Sequence, residues 1–461
     1  MDNNNQVLQA SKIESVILVA LIMVSISFSM IVLETVPHIP ILLSMFILIC
    51  YGLMKKVSFQ ELQNGMTAGA SSGLSAVYLF FFIGMIISSF MISGTIPTMM
   101  YLGLLIADWP FYFAIVFAVT SLIGISIGSS LTTAATLGVA FIGMSAALDI
   151  SLAITAGAVV SGAFFGDKMS PLSDTTNLAS TVVEVDLFEH IKNMAWTTVP
   201  AFILSLIGFG LLSPQSDIGT SPEQILQLRS GLMETGLIHW YALLPIVLLF
   251  ILAVKKVSAL LSLAVTIGFS VVLSYFHSTT SLADISSLLF DGYVSSSGIE
   301  EIDSLLSNGG INSMLFTVSL VIIALGLGGL LFKLGVIQTI LKSLENGLKK
   351  ASSTLVSAAA TAIGINVLIG EQYLSILLTG EAFKRPIDDL KIARKNLSRV
   401  LEDAGTVINP LVPWGVCGVF LTNVLGVSTL EYLPFAFFCL LSPVLTVLFS
   451  LTGWTIASTS K

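Results

Sequence analysis

Stretches of roughly 20 apolar residues recur along the whole chain, and each is long enough to cross a lipid bilayer as an α-helix. Hydrophobic residues make up 55% of the 461 residues and charged residues 10%, whereas an average soluble domain carries about 25% charged residues. The alternation of polar and apolar residues typical of membrane β-barrel strands is missing from the sequence. We therefore expect an all-α polytopic membrane protein.

Several other classes of protein are not expected. Residues 13–33 lack a basic leading region and a small-residue cleavage site, so we interpret them as a membrane helix rather than a signal peptide. Cys50, Cys417 and Cys439 are widely spaced in apolar contexts, which argues against a disulfide framework or a zinc site. Basic residues are not clustered as nucleic-acid binding requires. No cofactor is expected either.

The distribution of charge predicts which loops face the cytoplasm, because Lys and Arg concentrate there. Basic clusters occur at Lys55–Lys56, at Lys255–Lys256, at Lys349–Lys350, and among the six basic residues from Lys384 to Arg399. Loop 277–310 has no Lys or Arg but holds the acids Asp284, Asp291, Glu300, Glu301 and Asp303. We expect a multi-pass protein of the cell membrane with both termini in the cytoplasm.

The lengths of the apolar stretches predict roughly 10–13 membrane segments. Segments 95–107, 128–147 and 368–383 are short or interrupted, and re-entrant hairpins, surface helices and full spans all remain open for them. We divide the chain into N-terminal helices, a first repeat, a linking region, a second repeat and a C-terminal helix, at 1–56, 57–212, 213–276, 277–432 and 433–461.

Two halves of the chain resemble each other at a spacing near 240 residues. Leu62–Gly65 matches Leu306–Gly309, Ile123–Gly128 matches the stretch from Ile363 to Gly370, and 167–177 corresponds to 401–414. The first copy begins beside a basic loop and the second in the acidic outer loop. The two copies would therefore enter the membrane from opposite sides, which predicts inverted repeats. Inverted repeats form binding sites from broken helices near the middle of the membrane.

The segment 161–180 carries the most informative polar residues. Ionisable groups at membrane depth default to functional sites, and Asp167, Lys168, Asp174, Thr175, Thr176 and Asn177 lie here in an apolar context. Pro171 is expected to break the helix and to free the carbonyl of Asp167. We predict that this segment binds a cation or a proton, with Na⁺ at Asp174.

Alternatives remain open for the individual charges of this segment. Asp167 and Asp174 are seven positions apart, so they share one face of a continuous helix. Either acid could instead be a helix cap or a partner of Lys168. Three roles are open for Lys168: it neutralises an empty acid pair, it holds an organic anion, or it forms a permanent ion pair.

A second polar cluster lies in the other half. It comprises Glu402, Asp403 and Thr406, and the prolines Pro410 and Pro413 should free the carbonyls of Thr406 and Asn409. We predict cation or proton binding for this cluster too. The alternative is that Glu402 and Asp403 face the cytoplasm and pair with Arg394 or Arg399.

Further candidates carry weaker signals. Glu371 becomes a proton carrier if it is buried, and an ordinary loop residue if it is not. Ser129, Thr132 and Thr133 supply either neutral ligands or close helix packing. Asn409 and Trp414 belong to the second cluster as secondary candidates. His190 is expected at the surface.

The blocks GDKMSPLSDTTNLAS (166–180) and LEDAGTVINPLVPW (401–414) resemble the NhaC family of Na⁺/H⁺ antiporters, as do 370–383 and 395–405. This resemblance implies an ion-transporter-superfamily fold with inverted repeats and hairpins, and a homodimer. It implies a site at Asp167, Asp174, Thr175, Thr176 and Asn177, with Glu402, Asp403 and Thr406 opposite. Members also include exchangers of malate for lactate, so the resemblance leaves the substrate open.

We therefore expect an antiporter that exports Na⁺ in exchange for H⁺ by alternating access, in contact with membrane lipid. The alternative is an exchanger of small organic acids. A channel is less expected because its ligands form rings around a pore. An enzyme is not expected because no catalytic motif stands out.

Overall fold

The computed structural model describes residue 8 and residues 10–105, 111–214, 222–255, 257–299, 302–303, 306–345 and 350–459. Four charged residues used above to orient the chain lie outside the described residues, namely Lys256, Glu300, Glu301 and Lys349. The described residues form helices and no extended strand, with isolated β-bridges at Tyr293–Asn308 and Ile392–Ser458. The predicted all-α fold is confirmed.

The described helices up to residue 214 are α1 (Lys12–Ile31), α2 (His38–Met54), α3 (Phe59–Ser72), α4 (Leu74–Ile92), α5 (Thr95–Leu105), α6 (Tyr112–Ile127), α7 (Ser130–Ala147), α8 (Leu152–Met169), α9 (Asp174–Val182) and α10 (Leu187–Leu212). Within α7, residues Ala134–Gly138 wind as a π-helical turn. This wider turn lies in the middle of the helix, where the regular hydrogen-bond pattern is interrupted.

The described helices after residue 221 are α11 (Pro222–Glu234), α12 (Trp240–Val254), α13 (Ala259–Ser274), α14 (Leu282–Asp291), α15 (Ile311–Lys333), α16 (Val336–Glu345), α17 (Ala351–Ile369), α18 (Gln372–Asp389), α19 (Lys395–Leu411), α20 (Val416–Leu425), α21 (Thr429–Phe435) and α22 (Phe437–Thr452). Within α19, residues Leu401–Thr406 are π-helical. The predicted second cluster thus falls on an irregular turn.

Among the described helices, six are long and apolar enough to cross a membrane: α1, α4, α7, α10, α15 and α17. The number rises to eight if the bent pairs α19–α20 (46°) and α21–α22 (59°) each count as one span. Helices α2, α6, α12 and α13 are apolar but shorter. The chain is therefore a multi-pass membrane protein, and the number of 10–13 segments stays a prediction that depends on the shorter helices.

The helices differ in how far the protein itself covers them. In the most apolar 18-residue stretch of each helix, 83% of the residues of α7 are buried, against 22% in α1 and 28% in α10. Helix α10 exposes large apolar side chains such as Trp196, Ile203 and Leu211. Such an apolar exterior is typical of lipid contact. Helix α7 is therefore central, and α1 and α10 are peripheral.

Helix starts are encoded locally by serine caps. Ser11 and Glu14 form a reciprocal capping box at the start of α1. The hydroxyls of Ser151 and Ser173 accept the N–H groups of Ile154 and Thr176 at the starts of α8 and α9. Each cap stabilises its helix by about 1 kcal/mol.

The order of helices repeats within the chain. Helices α4 to α9 and α15 to α20 follow one another with similar lengths, and corresponding helices lie roughly 240 residues apart. Helices α6 and α17 both end at a glycine with positive φ, Gly128 (69°) and Gly370 (77°). Each glycine is followed by a residue whose side chain caps the next helix, Ser129 or Glu371. The two halves therefore share local structure as well as helix order.

The same two glycines contact the helix breaks of their own halves. A Cβ atom on Gly128 would lie 2.7 Å from the Cβ of Leu172, in the break between α8 and α9. A Cβ atom on Gly370 would lie 3.0 Å from the carbonyl oxygen of Trp414, in the break between α19 and α20. A glycine is required at each position, because a side chain would strain the positive-φ backbone and would clash with the nearby helix break.

Candidate cation-binding site

The predicted helix break at Pro171 is present. Helix α8 ends at Met169, Ser170 is extended, and α9 begins at Asp174 with Ser173 as its cap. The carbonyl of Asp167 is not free, however, because it accepts the N–H of Ser170 at 3.1 Å. The expectation of an open carbonyl ligand at Asp167 is therefore wrong: the chain turns immediately and satisfies that oxygen.

The polar residues after the break hold the break together. The Asn177 amide donates to the carbonyl oxygens of Pro171 (3.1 Å) and Ser173 (2.7 Å). The Thr176 hydroxyl donates to the carbonyl of Lys168 at 3.1 Å. The Thr175 hydroxyl lies 3.0 Å from that of Ser173. These hydrogen bonds fix the geometry of the break, so the three residues position the site in this structure.

Asp167 lies at the end of α8 and is buried, with 4% of its surface exposed. The Ser130 hydroxyl donates to its Oδ2 atom at 2.7 Å. Helices α6 and α8 approach closely here, because a Cβ on Gly166 would lie 2.5 Å from the Cα of Gly124. This contact brings the start of α7, which follows α6, to the carboxylate.

Ser130 was not among the predicted site residues, whereas its neighbours were. Ser129 is the cap of α7, and its Oγ lies 3.0 Å from the Oγ1 of Thr132. The Thr133 hydroxyl donates to the carbonyl of Ser129 at 2.8 Å. The three predicted residues thus serve the helix start, and the adjacent serine contacts the acid. The hydroxyl-rich run thus contains one residue that contacts Asp167, but the sequence did not show which face of the helix would meet the acid.

Lys168 and Asp403 form an ion pair whose side chains are both fully buried. The hydroxyls of Thr197 on α10 and Thr446 on α22 donate to Oδ2 of the same carboxylate. Four helices therefore meet at Asp403. In this structure, Lys168 is therefore in an ion pair with an acid of the second cluster. The sequence gave no reason to place Thr197 or Thr446 at this acid.

Glu402 is fully buried, and its carboxyl oxygens form no hydrogen bond of regular geometry among the described residues. The Thr406 hydroxyl, one turn further along α19, interacts with this carboxyl group and has no other partner among the described residues. Glu402 interacts electrostatically with Asp167, Lys168 and Asp403. A buried carboxyl group without full compensation is costly, so Glu402 and Thr406 are candidate cation ligands.

The alternative that Glu402 and Asp403 face the cytoplasm is wrong, because both acids are fully buried. Asp403 forms its ion pair with Lys168, and its interaction with the buried Arg399 is electrostatic without a direct contact. Arg394 instead binds Glu184 at 2.5 Å and Asp388 at 2.7 Å. Lys384 also contacts Glu184, at 2.6 Å. Hydrogen bonds from Lys384 and then Arg394 lower the pKa of Glu184 below its usual 4.5.

Arg399 and His190 are buried near this cluster. Arg399 donates to the Thr455 hydroxyl at 2.9 Å, and its Nε and Nη2 atoms have no partner among the described residues. His190 lies with Nδ1 2.7 Å from the Ser398 hydroxyl. The expectation of a surface histidine is wrong, because α10 packs this side chain against α19.

Asp174, the predicted Na⁺ ligand, is the first residue of α9 and its side chain is exposed. It still interacts electrostatically with Asp167. Its place is therefore at the edge of the cluster, while Asp167 and Glu402 lie inside.

The secondary candidates Glu371, Asn409 and Trp414 form hydrogen bonds around the break between α19 and α20. Glu371 is buried, and its carboxylate accepts the N–H of Leu374 at 2.7 Å as the cap of α18. Asn409 donates to the side chain of Asn366 (2.9 Å) and accepts the N–H of Cys417 (2.8 Å). The Trp414 indole donates to the carbonyl of Val367 at 2.6 Å. The carbonyl of Asn409 is not free either, since Val412 donates to it at 3.2 Å.

Within the described residues, no group of three or more His, Cys, Asp or Glu side chains is arranged to hold a metal ion. A transported alkali ion would need hydroxyl and carbonyl oxygens as well as carboxylates. A cavity of about 590 Å³ lies elsewhere, beside His277, Asp284 and Asp291. It shares no residue with the acidic cluster.

Comparisons with known proteins agree with this picture. A family model described as the Na⁺/H⁺ antiporter family matches residues 162–454. The Na⁺/H⁺ antiporter NhaC of Alkalihalophilus pseudofirmus is 41% identical over 441 residues, covering 95% of each chain. The NhaC antiporter of Bacillus subtilis is 38% identical over 418 residues, covering 90% of this chain and 92% of its own.

A more distant relative carries a different name. The malate-2H⁺/Na⁺-lactate antiporter of Bacillus subtilis is 31% identical over 419 residues, covering 90% of this chain and 89% of its own. All three relatives are named as antiporters, which are transporters and not enzymes. The three relatives match 90–95% of this chain, and the range of the family model includes both helix breaks. The chain belongs to the Na⁺/H⁺ antiporter family.

Proposed function

We propose that this protein is a secondary antiporter that exports Na⁺ in exchange for H⁺ across the cell membrane. The observation that carries the proposal is the pair of buried acids Asp167 and Glu402, which come from different halves and form no ion pair with a Lys or Arg among the described residues. Carboxylates in such a place need a proton or a metal cation. Because Na⁺ and H⁺ compete for the same carboxylates, the transport of one is coupled to the transport of the other.

In this mechanism, Na⁺ binds where Asp167 and Glu402 approach each other, with the Thr406 hydroxyl available as a neutral ligand. Ser130 orients Asp167. Asp174 lies at the exposed edge and attracts cations. Lys168 and Asp403 remain paired and hold the two halves together, and Thr175, Thr176 and Asn177 keep the break in shape.

We infer that the regions 57–212 and 277–432 are inverted repeats and that alternating access arises from movement of one part of the molecule against the other. The repeated helix order and the matching glycines Gly128 and Gly370 support this inference. The proposed orientation keeps both termini in the cytoplasm, because the basic loops belong there. A homodimer is proposed on the family resemblance.

The test is Na⁺-dependent collapse of a pH gradient in proteoliposomes that contain the full chain. We expect Asp167→Asn to abolish the response and Asp174→Asn to weaken it. Asp149→Asn is the matched control, because Asp149 is an exposed acid in a loop between α7 and α8. Full activity of Asp167→Asn would contradict the proposed site.

Exchange of small organic acids is the second candidate, because the malate-lactate relative covers most of the chain. Binding of an organic anion by Lys168 is not favoured, because Lys168 is already paired with Asp403. A ligand that binds the folded state raises its stability. Thermal stabilisation by NaCl alone supports Na⁺/H⁺ exchange, whereas stabilisation that requires malate or lactate supports this candidate.

A further inference from the structure

The cavity of about 590 Å³ beside the acidic loop 277–310 shares no residue with either helix break. Helix α14 forms one wall through Asp284, Ser287, Leu288 and Asp291, which are spaced as one face of a helix. The opposite wall comes from the loops after α11 and α13 and from the end of α4. Its volume is in the range of small-ligand sites, roughly 300–1,000 Å³.

The formal charges that line this cavity are negative. Asp284 and Asp291 are its acids, and none of the described residues that line it is Lys or Arg. His277 is held between two partners, since Nε2 lies 2.9 Å from the carbonyl oxygen of Ile92 and Nδ1 lies 3.3 Å from the Tyr241 hydroxyl. Both nitrogens of the neutral ring are therefore engaged. The cavity favours a cationic ligand over an anionic one.

Asp291 is the acid of this cavity that most needs a cation. It is the last residue of α14, where the negative end of the helix dipole disfavours a carboxylate. Its side chain forms no ion pair or hydrogen bond with another described residue. Asp284, by contrast, lies in the first turn of α14 and accepts the Ser281 hydroxyl at 2.7 Å.

The Ser287 hydroxyl lies one turn before Asp291 on the same face of α14. A carboxylate and a hydroxyl one turn apart suit a primary ammonium group, which donates up to three hydrogen bonds. A quaternary ammonium group would instead need a cage of aromatic rings. The described lining offers only the rings of Tyr293 and His277.

The rim of the cavity is apolar and open. Four large side chains around it are 76–81% exposed, namely Trp240, Phe276, Leu282 and Val294. Trp240 begins α12 and Phe276 follows α13, and the centroids of both rings lie 6.0 Å from that of Tyr241, the partner of His277. Aromatic residues at the ends of membrane helices lie at the level of the lipid headgroups. The cavity therefore opens at headgroup depth.

We propose that this cavity binds the primary ammonium group of a lipid headgroup, as in phosphatidylethanolamine, with Asp291 and Ser287 as its ligands. The lipid belongs to the outer leaflet, because the acidic loop 277–310 faces outward in the proposed orientation. Bound there, it joins α14 to the outer ends of α4 and α13. The site is separate from the ion-exchanging acids, so it does not depend on which ion is carried.

The test is native mass spectrometry of the full chain in detergent, titrated with phosphatidylethanolamine, phosphatidylcholine or phosphatidylglycerol that carry the same acyl chains. We expect phosphatidylethanolamine to bind about tenfold or more tightly than the other two, because it alone brings a primary ammonium group to a carboxylate. Asp291→Asn should remove this preference, and Ser287→Ala should reduce it. Asp149→Asn, an exposed acid between α7 and α8, is the matched control and should retain it.

Three results would overturn the proposal. Equal affinity of the natural chain for the three lipids means that binding is unselective, whatever the variants do. An unchanged preference in Asp291→Asn contradicts the assigned ligand, and if that variant does not fold, an unchanged preference in Ser287→Ala does so. Glycerophosphoethanolamine has the same headgroup without acyl chains, and we expect it not to displace the lipid at equal concentration. Full displacement means that the site takes a soluble amine and not a lipid.

Discussion

Lys168 and Asp403 are 235 residues apart in the chain, and they form an ion pair from which solvent is fully excluded. One residue lies at the end of α8 beside the first helix break, and the other lies in the π-helical turn of α19. Removal of one partner leaves the other charge buried without compensation. The stability of the two halves is therefore coupled at this point.

We predict that Lys168→Met destabilises the protein by about 3–5 kcal/mol, since breaking a buried pair costs that much. The double variant Lys168→Met/Asp403→Leu should lose less stability than the sum of the two single variants, because no charge is stranded. Thermal unfolding in detergent measures both. Lys55→Met, which breaks the exposed pair of Lys55 with Glu14, is the control and should change little.

Ser130→Ala is expected to weaken Na⁺ binding while the protein stays folded. The variant removes the hydroxyl that donates to Asp167, and a hydrogen bond to a charged group contributes about 1.5–3 kcal/mol. The Na⁺ concentration for half-maximal exchange should therefore rise by about tenfold or more. Ser126→Ala, on the neighbouring turn, removes a hydroxyl bonded only to a backbone carbonyl and should leave this concentration unchanged. Equal values for both variants would contradict the role of Ser130.

Gly128→Ala and Gly370→Ala should both reduce stability and exchange rate. Each residue has a positive φ, which costs an alanine about 1 kcal/mol. Each new Cβ would also press on the break of its own half. Gly426→Ala separates the two effects, because Gly426 has φ +66° but nothing within 4 Å of the added carbon. If all three variants are equally impaired, the contact with the breaks is unimportant.

The ion pairs of Glu184 should make stability dependent on pH in the acidic range. The pKa of Glu184 is lowered from 4.5 by Lys384 and Arg394. A lowered folded-state pKa adds stability that is complete above pH 4.5 and is lost as the pH falls through the folded-state value. Glu184→Gln should therefore melt earlier than the natural chain at neutral pH, and the difference should vanish in acid.

Melting curves from neutral pH down to pH values below 4.5 check this sign. The control is Glu381→Gln, since Glu381 is exposed and forms no ion pair among the described residues. A difference that grows towards low pH would contradict the assignment of Glu184 to this network.

The sequence by itself determined the class of protein and indicated the charged residues of the proposed site. Apolar stretches of this length with so few charges indicate membrane-spanning helices. Pro171 indicated the first break and Pro410 with Pro413 the second, since proline disrupts a helix; in the structure Pro410 lies within α19 and Pro413 lies in the break. Ionisable residues in an apolar context marked Asp167, Lys168, Glu402 and Asp403. These are local properties, and local sequence is sufficient to show them.

Only the tertiary structure decided which of these groups meet. Ser130 rather than Ser129 contacts Asp167, and Thr197 and Thr446 bind Asp403 from helices that carry no polar motif. The sequence did not show that Asp174 would be exposed, or that Glu402 would form no ion pair with a described Lys or Arg. The physical reason is that apolar helices resemble one another in sequence. Which faces pack together, and how deep each charge lies, follows from the fit of all the helices at once.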